Sequence, residues 1–155
     1  MLITVNNFVG EIAIGQAENS VIAANIELFI NKYEPMFLMK LLGKDLYNEF
    51  NDGLTLNPVP EKWNTLKNKV MYPCANYIYC YYMRNKASET NGFGETLPES
   101  ENSQRVSPVQ KIVRAWNEMV DINNAIKCEL INNDAYPNYK YCCSDIFNKT
   151  NSFGI

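Results

Sequence analysis

The chain contains no histidine. This removes Ser-His-Asp and Cys-His nucleophilic catalysis, imidazole metal ligation and the usual pH switch. Five cysteines remain as the most reactive side chains: Cys74, Cys80, Cys128, Cys142 and Cys143. Zinc requires pairs at Cys-x-x-Cys-like spacing. Cys74 and Cys80 are instead six apart, and Cys142 and Cys143 are adjacent. A nucleophilic thiol needs a base or a lowered pKa, and no histidine supplies either. An odd cysteine count argues against a disulfide framework. The expected role of these residues is as small buried hydrophobes. Carboxylates crowd one place, Glu95, Glu99 and Glu101 with Glu89 just before, in a polar stretch where they would simply be solvated. Neither a metal nor a cofactor nor an enzymatic activity is expected.

The densest chemistry is aromatic. Tyr72, Tyr77, Tyr79, Tyr81 and Tyr82 share one segment. Tyrosine has an apolar body and a polar tip, so one reading is a core face with hydroxyls at its rim. A second is a subunit interface. A third is base stacking on single-stranded nucleic acid, for which only Arg84 and Lys86 lie nearby. The net charge of -3, from 14 basic and 17 acidic residues, gives no global reason to bind nucleic acid or an anionic membrane.

These residues must be held by one domain's worth of chain. With 155 residues, 46% hydrophobic and 20% charged, a core can be buried without metal or disulfide staples. No apolar run approaches the roughly 18 residues needed to span a bilayer. The opening MLITVNNFVGEIAIG has no basic region followed by a long apolar one, so no signal peptide is expected and the default location is cytoplasmic. The 22 asparagines read as compositional bias.

The fold class expected is all-α, a small bundle of four to five helices with an irregular N-terminal arm and a C-terminal tail. The helical domain would cover 1–133, and an aromatic, polar extension 134–155. Residues 1–18 stand as a short strand or a helix lead-in, followed by an arm bracketed by Gly10 and Gly15. Helix one spans about 20–33, capped by Ser20 or Asn19, with Ile22, Ile26, Phe29, Ile30 and Tyr33 on one face. Pro35 restarts the chain. Helix two covers about 35–51 with Leu38, Leu41, Leu42, Leu46 and Phe50 inward. Gly43 either sits mid-helix at a cost of about 1 kcal/mol relative to alanine or ends a short helix. Helix three starts near Pro60 or Glu61 and runs towards Ala87. Trp63, Leu66, Val70 and Cys74 repeat on one side, and a kink or break is expected at Pro73.

Residues 91–105 read as a polar loop, mobile until assembly. Its GFG is no phosphate loop, lacking GK[ST] and a preceding strand. Ser107-Pro108-Val109-Gln110 is a capping box that opens helix four, which runs to about Ile131. Val109, Ile112, Val113, Trp116, Met119, Val120 and Ile126 share its inner face. Arg114 and Glu118 make an i, i+4 pair outside. The tail offers Tyr136, Tyr139, Tyr141, Phe147 and Phe153, to dock on this domain or on a partner.

Two segments carry a resemblance: YEPMFLMKLLGKDLYNEF (33–50), and NGFGE with ENSQRVSPVQKIVRAWNEMV (91–95 and 101–120). Together they resemble a family of small proteins of tailed phages and prophages of Bacteroides-like bacteria. That family is similar in size and layout to head–tail connector (adaptor) proteins. The likeness covers roughly residues 1–125. It implies a non-enzymatic virion protein assembled in the bacterial cytoplasm. Copies would form a homo-oligomeric ring between portal and tail proteins, through which DNA passes without specific binding and with no membrane involved. Candidate contact residues are Phe93, Glu95, Arg105, Tyr79, Tyr82 and Arg114. The alternative is a small helical protein-binding module of phage origin, a chaperone or regulator without catalytic activity.

Overall fold

The computed structural model describes residues 1–86, 89–91, 94–96, 109–131, 133–140 and 147–151. Two 3-10 turns, Val5–Asn7 and Gly10–Ile12, precede α1 (Ser20–Leu54) and α2 (Glu61–Lys86). Short strands β1 (Glu89–Asn91) and β2 (Gly94–Thr96) follow, and then α3 (Val109–Ile131). The long elements are all helical, as expected. Among the described residues, however, there are three α-helical elements rather than four or five, with α1 counted as one across a kink.

The count falls because the chain does not restart at Pro35. That proline removes a backbone hydrogen bond, which disfavours a helix interior by about 3 kcal/mol. The inward residues run on at helical spacing on both sides of it: Ile26 and Ile30 before, Phe37, Leu38, Leu41 and Leu42 after. Their shared burial keeps the helix continuous. Of the two expected readings of Gly43, the interruption holds: α1 kinks there, where φ 75° and ψ 164° leave helical space. A residue without Cβ adopts that backbone most readily. Asn19, the nearer of the two expected caps, holds the start of α1, with its Oδ1 accepting from Val21 N at 3.0 Å. Pro73 also fails to interrupt its helix, and α2 runs through it.

Helix α2 is central, packing on α1 along one side and α3 along the other. Every residue from Pro73 to Cys80 is buried. The expected inner residues of the helices, Leu46, Phe50, Trp63, Leu66, Val70 and Met119 among them, lie in one continuous core. Gly53, near the end of α1, faces Trp63 so closely that a Cβ there would fall 2.0 Å from the indole Nε1.

The N-terminal arm packs on its own domain. Leu2, Ile3, Phe8 and Ile12 are core residues. The buried carboxylate Oε2 of Glu34, on α1, accepts from the backbone N–H of Leu2 at 2.9 Å and of Ile3 at 2.8 Å. Bonds to a charged acceptor are roughly twice as strong as neutral ones. Part of the 91–105 loop is also ordered differently from expectation. β1 and β2 pair antiparallel, with Glu89 opposite Thr96 and Thr90 opposite Glu95. A strand therefore does precede Gly92. The rest of that loop, and the Ser107-Pro108 cap, lie outside the described residues.

The described parts of the tail dock on the helices. Tyr136 donates from its hydroxyl to Lys62 O at 2.8 Å, and its ring lies 5.8 Å from that of Trp63. Phe147 sits among Phe37, Tyr77 and Trp116. Trp116 Nε1 donates to Asn148 O at 2.7 Å, and Thr150 N donates to Asn117 Oδ1 at 2.8 Å.

Substitutions at Gly53, Gly43 and Glu34 test these constraints. Gly53→Ala should lose about 3 kcal/mol by overpacking against the indole, more than Gly43→Ala, whose Cβ meets open space and costs only backbone strain of about 1–3 kcal/mol. Urea unfolding measures both, and Trp63→Phe should recover part of the Gly53→Ala loss but none of the Gly43→Ala loss. Glu34→Gln should cost about 1–2 kcal/mol and speed amide exchange at Leu2 and Ile3. Unchanged exchange there would show that the carboxylate does not hold the arm.

Candidate functional site

The tyrosine run of α2 meets the first half of α1, and the two helices leave a groove of about 450 Å³ between them. Leu28, Phe29, Lys32 and Tyr33 line it from α1, and Tyr81, Arg84 and Asn85 from α2. Tyr33 stacks on Tyr81, with centroids 4.3 Å apart and planes 19° from parallel. Tyr77 meets Tyr81 edge-on at 4.8 Å. Phe29 covers Tyr82, 5.4 Å away and nearly perpendicular. Cations border the rings: Lys32 Nζ lies 5.0 Å from the centroid of Tyr33, Arg84 stands 6.0 Å from that of Trp116, and Lys86 5.9 Å from that of Tyr82.

Burial explains the rings' own chemistry. It pushes the phenols of Tyr77, Tyr79 and Tyr82 above their ordinary range; for Tyr77 the hydroxyl of Tyr81 adds to the effect. They are neutral anchors at physiological pH. Lys40 Nζ donates to Tyr77 Oη at 3.4 Å.

A second hollow, of about 210 Å³, lies at the Gly43 break beside Lys40, Lys127, Tyr139 and Lys140. Its cations are largely committed, since Lys140 pairs with Asp45 at 3.0 Å and Lys40 with the Tyr77 hydroxyl. A third polar site lies between α2 and α3. There the Tyr72 hydroxyl (3.0 Å) and Asn76 Nδ2 (3.3 Å) both donate to Glu118. Asn123 is fully buried on α3, and neither its Oδ1 nor its Nδ2 has a partner among the described residues.

The candidate contact residues separate. Tyr79 and Tyr82 are 1% and 3% exposed, so they belong to the core and offer no contact surface. Burying their rings in the central helix gains more than exposing them would. Arg114 is exposed but does not pair with Glu118. Its guanidinium lies 3.5 Å from Glu11, on the N-terminal arm, while Glu118 turns to Tyr72 and Asn76. A nearby carboxylate from another element wins over the i+4 neighbour. Glu95 lies in β2, and Phe93 and Arg105 fall outside the described residues.

Sequence reasoning missed Lys32, and it placed Tyr33 only on the inner face of helix one. They stand about fifty positions from Tyr81 and Arg84, and only the packing of α1 on α2 joins them. One signal was present: α1 carries apolar residues off its core face, at Val21, Leu28, Met36 and Met39.

Cys74 and Cys80 are buried free thiols, as expected, whereas Cys128 lies on the exposed side of α3. Cys142 and Cys143 fall outside the described residues. Burial raises the Cys74 thiol well above its usual range, with the Glu34 charge adding to it. Burial pushes Cys80 up to about 12, against the opposing pull of Arg84. Among the described residues no group of His, Cys, Asp and Glu could hold a metal ion, and no helix is long and apolar enough to cross a membrane.

These shifts predict a loss of stability at alkaline pH. In the unfolded chain the Cys80 thiol ionises near its ordinary value of 9.0, but in the fold it stays protonated to about 12. The unfolded state therefore binds fewer protons in that window, and stability falls as pH rises through it. The folding equilibrium should weaken up to roughly tenfold per pH unit for each such proton. Urea titrations at pH 8, 9.5 and 10.5 should show this fall, and Cys80→Ala should make it shallower. No family model, curated protein or solved structure matches the chain.

Proposed function

We propose that this chain is a structural head–tail connector of a tailed phage or prophage. Copies form a ring between portal and tail proteins, and the ring surrounds passing DNA without binding it specifically. The ring would be part of the virion, assembled in the bacterial cytoplasm, with no catalytic step of its own.

The observation that carries this reading is the outward face of α1. Val21, Leu28, Met36 and Met39 follow one another at steps of seven, eight and three residues, so they share one stripe opposite the core face. Each is 42–70% exposed. Long apolar side chains in a row on a surface mark a place where another protein sits. The aromatic groove borders this stripe, with Leu28 and Lys32 at the shared edge. The resemblance of residues 33–50, 91–95 and 101–120 to the small phage proteins supports a connector in particular. The mild negative charge suits a wall past which DNA must slide.

Solution mass by light scattering tests the reading, across a concentration series and in parallel with the portal protein of the same genome. A large defined oligomer, alone or on the portal, is expected, and Leu28→Glu with Met39→Glu should abolish it while leaving the melting temperature within a few degrees. A monomer that ignores the portal would overturn the connector reading in favour of a helical protein-binding module.

A further inference from the structure

Among the described residues the cations at the groove between α1 and α2 are unanswered. Lys32, Arg84 and Lys86 have no carboxylate within 4.0 Å among the described residues, whereas Lys69, Arg114, Lys140 and Lys149 each have one. Among the described residues no carboxylate lines the groove, and the described lining comes from α1 and α2. Around the unanswered charges lie the rings of Phe29, Tyr33 and Tyr81, with Leu28 66% exposed at the mouth. Such a surface is complementary to a chain that brings carboxylates together with an aromatic residue.

This protein carries such a chain. Residues 92–101, GFGETLPESE, hold Glu95, Glu99 and Glu101, one phenylalanine and no cation. A cationic groove and an acidic segment on one polypeptide can serve as the two halves of a heterologous contact, which builds a ring of identical subunits when its rotation closes. We propose that the groove receives the acidic 92–101 segment of a second copy of this chain, Phe93 against the rings and the glutamates against Lys32 and Arg84. The proposal rests on the ring reading for the presence of that second copy. A single-stranded nucleic acid would use the same rings, but it needs a cationic track along several phosphates. The groove offers two cations, with Lys86 close by, on a chain of net charge -3.

The test uses the full-length chain, a fluorescein-labelled peptide of residues 91–102, and two multiple variants checked for native helicity and melting. The groove variant is Lys32→Glu with Arg84→Glu. The segment variant is Glu95→Lys, Glu99→Lys and Glu101→Lys. The peptide should bind both wild type and the segment variant saturably, and the groove variant at least tenfold more weakly. Neither variant alone should assemble on the portal. Mixed in equal amounts they should stop at a heterodimer, because only one intact groove meets one intact segment. Equal peptide binding to the groove variant would overturn the proposal. So would binding to the segment variant alone, since the chain's own segment would then fill the groove. Tighter, groove-dependent binding of a dT20 oligonucleotide would overturn it in favour of nucleic acid. A groove variant that still assembles on the portal sinks the proposed contact and leaves the ring reading standing. Groove-dependent peptide binding by a wild type that forms no ring sinks the ring reading and leaves the pairing.

Discussion

Complete burial of the middle of α2 is the constraint on which the rest of the molecule depends. From Pro73 to Cys80 the helix has no solvent-facing side. A helix buried all round must be covered on every flank. Helix α1 covers one side and α3 another. Phe147 and Trp116 close over Tyr77. The tail is therefore drawn into the fold, because it supplies a lid that three helices alone do not.

The composition of α2 then decides what sits at its edges. A leucine-rich central helix could end in a dry interface. This one carries Tyr77, Tyr79, Tyr81 and Tyr82, whose hydroxyls need polar surroundings while their rings need cover. The compromise places ring faces inside and oxygens near the rim, where Lys40 and the Tyr81 hydroxyl meet Tyr77. The same packing exposes part of Tyr33 and Tyr81 beside Lys32 and Arg84. The groove is thus a consequence of using tyrosine as core material in a helix that reaches the surface at its C-terminal end.

Polar groups buried elsewhere follow different logics. Glu34 is satisfied by two backbone donors and ties the N-terminal arm to α1, so its burial carries structural information. Asn76 satisfies its donor side on Glu118, but among the described residues its Oδ1 has no partner, and neither side-chain atom of Asn123 has one. A buried unpaired amide costs about 1–3 kcal/mol. An apolar residue in its place would pack at lower cost, so Asn123 spends stability that nothing within the described residues returns.

What the sequence by itself determined was the helical class and the identity of the core. Apolar spacing named Leu38, Leu41, Leu42, Leu46, Phe50, Trp63, Leu66, Val70 and Met119, and all are buried, because helical period and burial are linked by local geometry. The absence of histidine and the cysteine spacing likewise follow from residue type alone. Helix continuity was not legible in the same way. Pro35 signals a break, yet burial on both sides of it outweighed its lost hydrogen bond; at Gly43 the spacing left a mid-helix glycine and a helix end both open, and the packed chain kinks there. The candidate site belonged to tertiary structure altogether. Lys32 and Arg84 are 52 residues apart, and no local rule couples them. Arg114 chose Glu11 over its helical neighbour for the same reason: a partner's position in space outranks its position in the chain once the helices are packed.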